Sequence, residues 1–151
     1  MLEQPSSRPL CTSAQEVELG SPRVNGGAGE LGCEHVEVIT GFSFSNCVKL
    51  ETVSGGRNVY GIGAQAFTGC QNLVHCEPLS TAVYIGERAF NWCNALEISA
   101  FPAAMEHIGE HAFRHCLGLT DVELPITIGF LADNAFAGCD NMARQSATLD
   151  T

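Results

Sequence analysis

The sequence predicts an α/β repeat solenoid of about five stacked 23-residue coils, with short parallel strands on one face and short helical turns on the other. Two observations carry this. Phe44, Phe67, Phe90, Phe113 and Phe136 recur every 23 residues, each followed three residues later by Cys47, Cys70, Cys93, Cys116 and Cys139. Around them other columns hold the same phase: Ile39, Ile62, Ile85, Ile108 and Leu131 five before, and Leu50, Leu73, Leu96, Leu119 and Met142 six after. Self-similarity at such a period marks units that bury their apolar faces only against one another.

Each unit reads as two elements in order. Ile, Ala, Phe and Cys fall at i, i+4, i+5 and i+8, one face of a short helical turn. In the fourth copy this places Ile108, Ala112, Phe113 and Cys116 together, with Glu110, His111 and Arg114 pointing away. A strand then follows: Val122 and Leu124 alternate with Asp121 and Glu123, and Pro125, which has no N–H for a ladder, ends it. Small residues before the Phe (Ser43, Ala66, Ala89, Ala112, Ala135) let the helical layer approach closely. Gly63, Gly86 and Gly109 after the Ile supply a sharp chain reversal.

The copy Ile108-Gly109-Glu-His-Ala112-Phe113-Arg-His-Cys116-Leu-Gly-Leu119-Thr-Asp-Val122-Glu-Leu124-Pro125 resembles the leucine-rich repeats of the BspA-like surface-antigen class. The copy from Ile85-Gly86 matches through Ala89, Phe90, Cys93, Leu96 and Pro102, and that from Ile62-Gly63 through Ala66, Phe67, Cys70 and Leu73. The first copy has Thr40 and Ser43 in place of Gly and Ala, and the last carries Leu131-Ala132 and stops after Met142 without a strand. The resemblance spans about residues 36–142. It implies a curved leucine-rich-repeat solenoid used for protein recognition, often at cell surfaces.

Three regions follow: a flexible tail over 1–30, rich in Pro, Ser and Gly, the solenoid over 31–142, and a polar tail over 143–151. The 151 residues carry a net charge of −10, with 7 Lys+Arg against 17 Asp+Glu. That balance argues against nucleic acid, which requires a basic footprint. No apolar run reaches the roughly 18–20 residues of a membrane helix, so membrane insertion is not expected. The polar start, Met1 to Gln15, lacks the apolar stretch of a secretory signal and points to the cytoplasm, with a surface location if the chain is a fragment. The five in-phase cysteines read as reduced, buried filler. Neither end shows a convincing polar cap, which invites end-to-end self-association.

No catalytic, cofactor-binding or metal-binding residue is assigned, and no cofactor is expected. His107, His111 and His115 are spaced four apart beside Cys116, a spacing that binds zinc on a regular helix. Only one copy carries them, so they read as variable outer positions; a metal or enzymatic role there is the remote alternative. The ladder cysteines lack the exposed, electropositive setting of a nucleophile. Gly26-Gly27-Ala28-Gly29 precedes no Lys-Ser/Thr and reads as a linker. The expected partner is a protein, bound on the strand face. Its outward columns are Thr52, His75, Ile98, Asp121 and Ser54, Glu77, Ala100, Glu123, chemically mixed from coil to coil and partly acidic.

Overall fold

The structure, a computed structural model, describes residues 14–19 and 36–142. Its strands, in chain order, are β1 (Glu16–Leu19), β2 (Val38–Ile39), β3 (Thr52–Gly55), β4 (Gly61–Ile62), β5 (His75–Cys76), β6 (Tyr84–Ile85), β7 (His107–Ile108) and β8 (Phe130–Leu131). They form two parallel sheets, one of order β2-β4-β6-β7-β8 and one of order β1-β3-β5. In the five-stranded sheet every residue pairs with the one 23 positions on, as Ile62 with Ile85 and Ile85 with Ile108. The five rungs enclose four full turns of a parallel β-solenoid.

The helical layer expected between each Ile and Cys is absent. The N–H groups of Ala66, Thr68 and Cys70 close tight turns onto the carbonyls of Gly63, Gln65 and Phe67, three residues back, at 3.2, 3.3 and 3.1 Å. The residues between them, Gln65, Phe67 and Gly69, donate instead to Glu87, Ala89 and Asn91 of the next coil, at 2.9, 2.7 and 2.7 Å. An α-helix would keep all these bonds within the segment. Left-handed backbone two residues before and two after the buried Phe prevents that: φ is 57° at Gln65 and 76° at Gly69, 52° at Arg88 and 62° at Trp92, 54° at His111 and 57° at His115. Successive tight turns still place Ile, Ala, Phe and Cys inward, which is why the spacing imitates one helical face. The only helical element among the described residues is the 3-10 turn Glu77–Ser80.

The strand expected around Val122 shrinks to a single bridge between Ala100 and Glu123. The main ladder runs instead along the Ile column, within the segment expected to be helical. The segment expected as an N-terminal tail contains β1, which pairs with β3 from Glu16 opposite Thr52 to Leu19 opposite Gly55. Its cause is a period-2 pattern: Val17 and Leu19 pack against the core while Glu16 and Glu18 face solvent. Residues 1–13, 20–35 and 143–151, with the remaining tail assignments, lie outside the described residues.

Inside the stack, the phenylalanine rings lie nearly parallel. Their centroids are 5.0, 5.1, 5.3 and 5.3 Å apart from Phe44 through Phe136. Each inner thiol donates to the carbonyl of the preceding coil's Phe: Cys70 Sγ to Phe44 at 2.9 Å, Cys93 to Phe67 at 3.1 Å, Cys116 to Phe90 at 3.0 Å and Cys139 to Phe113 at 2.9 Å. These four are free and buried. Cys47, expected reduced with them, is disulfide-bonded; its partner lies outside the described residues.

The glycine after each Ile serves close stacking rather than a reversal. Gly86 has no left-handed φ, but a Cβ there would stand 2.7 Å from the Ala64 nitrogen of the preceding coil. The first copy carries Thr40 at this position, and among the described residues no earlier Ile–Gly rung lies against it.

Candidate interaction surface

The three-stranded sheet and its continuation carry the residues expected to meet a partner. His75, Ala100, Asp121 and Glu123 are exposed; Thr52, Ser54, Glu77 and Ile98 are partly exposed. Side chains alternate along these segments, so Val53, Cys76 and Val122 point into the core while their neighbours face outward. Two open hollows mark the face. One, of about 610 Å³, is lined by His75, Glu97, Ile98, Ser99, Thr120 and Asp121 among others. The second, of about 300 Å³, is lined by Thr52, Ser54, His75, Glu77 and Glu97. His75 and Glu97 border both, which joins six of the eight expected residues into one continuous depression.

Ala100 and Glu123 lie just beyond it, paired across the isolated bridge. Reading the columns missed Glu97, which stands one residue before the outward column at Ile98. The same position is exposed in other coils, at Glu51 and Thr120. Glu16, Glu18 and Glu51 extend the acidic character along β1 and the entry to β3.

Glu77 has a structural task as well. Its carboxylate accepts the Gly55 N–H at 2.7 Å and Arg57 Nε at 3.0 Å, bracing the turn where Gly55 and Gly56 take φ of 75° and 66°. The Gly55 N–H first and the Arg57 hydrogen bond second hold its pKa below the ordinary carboxylate value.

The histidines disperse. His107 stacks between Tyr84 and Phe130 at 4.5 and 4.6 Å. His115 stacks on Trp92 at 4.1 Å. His111 meets Asn134, whose Oδ1 accepts the His111 backbone N–H at 3.3 Å. Without a helix, residues four apart do not share a face. No group of three or more His, Cys, Asp or Glu among the described residues is placed to hold a metal. Burial pushes the thiol pKa of Cys70 up to about 12, and those of Cys93, Cys116 and Cys139 upward too. A thiolate nucleophile needs the opposite shift.

The five-stranded sheet presents a different exterior. Its outward column reads Val38, Gly61, Tyr84, His107, Phe130, and the last three rings stack on one another. Aromatic residues at one phase in three successive copies were visible in the sequence. Among the described residues, no helix is long and apolar enough to cross a membrane.

The profile of the BspA type leucine rich repeat region matches residues 33–143 in six copies. Among solved structures, the chain is similar to a leucine rich cell surface protein from Faecalibacterium prausnitzii, with a TM-score of 0.61 and 25% identity over 72% of this chain. It is also similar to the T. pallidum leucine rich repeat protein, with a TM-score of 0.54 and 30% identity over 71% of this chain. The chain spans 35% of the first of these and 61% of the second. No curated protein sequence matches it.

Proposed function

Because the chain belongs to the BspA-type leucine-rich repeat family, we propose that it is a non-catalytic protein-binding module whose partner lies along the acidic strand face. The observation that carries this reading is the continuous depression bordered by His75 and Glu97, with Thr52, Ser54, Ile98 and Asp121 on its walls and no Lys or Arg lining it. Glu123 and Ala100 extend the contact beyond its rim. A backbone hydrogen-bonded from coil to coil changes little on docking, so little ordering entropy opposes association. Carboxylates along the face steer a basic partner surface toward it and add salt sensitivity.

The test is partner capture with two charge-matched variants. Asp121→Lys with Glu123→Lys should release proteins retained by the wild type, while Glu87→Lys with Glu110→Lys, on the turn side, should retain them. Equal retention by both variants would overturn the strand-face assignment. Glu77 is left unchanged because its carboxylate braces Gly55.

A second reading, a cell-surface adhesin or antigen fragment of the same fold, is favoured by the disulfide at Cys47, since such bonds persist in oxidising compartments. Its rival is a cytoplasmic location. Biotinylation of intact cells labels an exported chain and leaves a cytoplasmic one unlabelled.

A further inference from the structure

We propose that the turn side of the solenoid carries a binding site for a neutral sugar ring, built around Trp92 and the amide side chains of the coils beside it. The site lies away from the strand face, and the inference is independent of that reading.

The position two residues after each core Phe reads Asn46, Gly69, Trp92, His115 and Gly138, one per coil. All five have left-handed backbone, with φ of 58°, 76°, 62°, 57° and 74°. Gly and Asn adopt that conformation readily, and bulky residues rarely do. Trp92 is the largest of the five and the single tryptophan of the chain. It is 44% exposed. One side of its indole stacks on the His115 ring, at a centroid distance of 4.1 Å. On the other side the neighbouring coil presents Gly69, which has no side chain to lay over the indole. Gly69 also makes room for Asn46, whose Oδ1 occupies the space that a Cβ on Gly69 would need.

An open hollow of about 500 Å³ lies here, lined by Asn46, Thr68, Gly69, Gln71, Asn91 and Trp92. None of the six carries a charge. Their polar groups are under-used. Gln71 is exposed, and its side-chain amide has no hydrogen-bond partner among the described residues. Asn46 Nδ2 makes a single long bond, 3.4 Å, to Ser45 Oγ. Asn91 Nδ2 donates to Thr68 Oγ1 at 3.3 Å, while Asn91 Oδ1 is buried without a partner. A buried acceptor left unmet is costly, and a small rotation of this amide would bring it to a hydroxyl entering the hollow.

A pyranose matches this inventory. Its apolar C–H face suits the electron-rich face of an indole. Its hydroxyls donate and accept, as side-chain amides do. A lining without charge offers no ion pair to a phosphate, carboxylate or ammonium group, so a charged ligand would lose solvation without return. The hollow is open rather than enclosed, which fits one ring of a glycan chain better than a swallowed metabolite.

Because Trp92 is the single tryptophan, its fluorescence reports on this site alone. Titrating the full-length chain with glucose, galactose, mannose, fucose, N-acetylglucosamine and N-acetylgalactosamine should give a saturable change with at least one of them. Glucuronic acid and sialic acid should give none. An array carrying both polysaccharides and protein-linked glycans then shows which source presents the sugar. On that array Trp92→Phe should keep the wild-type pattern and Trp92→Ala should lose it. Gln71→Ala, at an exposed position, should weaken binding roughly 3–10-fold with an unchanged circular dichroism spectrum. It decides alone should Trp92→Ala lose that spectrum. A wild type silent to every neutral sugar overturns the proposal. So does a response to the acidic sugars equal to that for neutral ones. So does binding as tight as the wild type's in Gln71→Ala or in a folded Trp92→Ala.

Discussion

A cysteine in this core performs a task that no apolar residue of its size can. It fills space among Phe, Leu and Ile, yet its weak S–H donor reaches the Phe carbonyl of the preceding coil 26 residues away. Burial follows from the column, so this role was legible in the spacing. The disulfide at Cys47 was not, because the same repeat column holds four free thiols and one bonded one. The buried thiols set an alkaline limit on the fold. Their folded pKa values are raised by desolvation, that of Cys70 from 9.0 to about 12. A group shifted upward contributes its full stability below its unfolded pKa. Stability should therefore hold up to about pH 9 and fall as pH climbs from there toward 12. Urea midpoints across that range check the trend, and Cys93→Ala should flatten it. A midpoint unchanged up to pH 11 would contradict the assignment of these thiols to the core.

Turns and strands, rather than helices and strands, build each coil, and the difference is decided by neighbours. An isolated Ile-Gly-x-x-Ala-Phe-x-x-Cys segment has the spacing of a helical face. Stacked, half of its N–H groups bind the next coil, and these bonds hold residues such as Arg88 and His111 in left-handed backbone that an L-residue adopts only at a cost of about 1–2 kcal/mol. No window within one copy contains that information. The glycine column was recognised, but its reason was misread, because close approach between coils is invisible within one of them. Gly86→Ala tests the present explanation: a methyl 2.7 Å from the Ala64 nitrogen should destabilise the fold by about 1–3 kcal/mol. Chemical denaturation measures this, and a neutral result would show that the stack has room to spare.

For the molecule as a whole, stability is spread along the axis, each coil depending on its two neighbours. The centre and the last described rung should therefore respond differently to the same change. Phe113, fully buried and stacked on both Phe90 and Phe136, should cost about 3–5 kcal/mol as Phe113→Ala. Phe136, partly covered and lacking a ring beyond it, should cost clearly less as Phe136→Ala. Paired denaturation curves give the comparison, and equal losses would mean that the last rung is as well sealed as the middle. The acidic balance belongs to this scale too. Composition announced it, but only the sheet geometry gathered Glu97 and Asp121 around one depression with His75.

By itself the sequence determined the period, the inward columns and the stacking, because a 23-residue apolar signature repeated in phase has no other way to leave water. The tertiary structure alone decided that the coils turn rather than spiral, that β1 joins the second sheet and that the three histidines part company. Those outcomes depend on hydrogen bonds between residues about 23 or more positions apart, and such bonds exist only once one coil lies upon another.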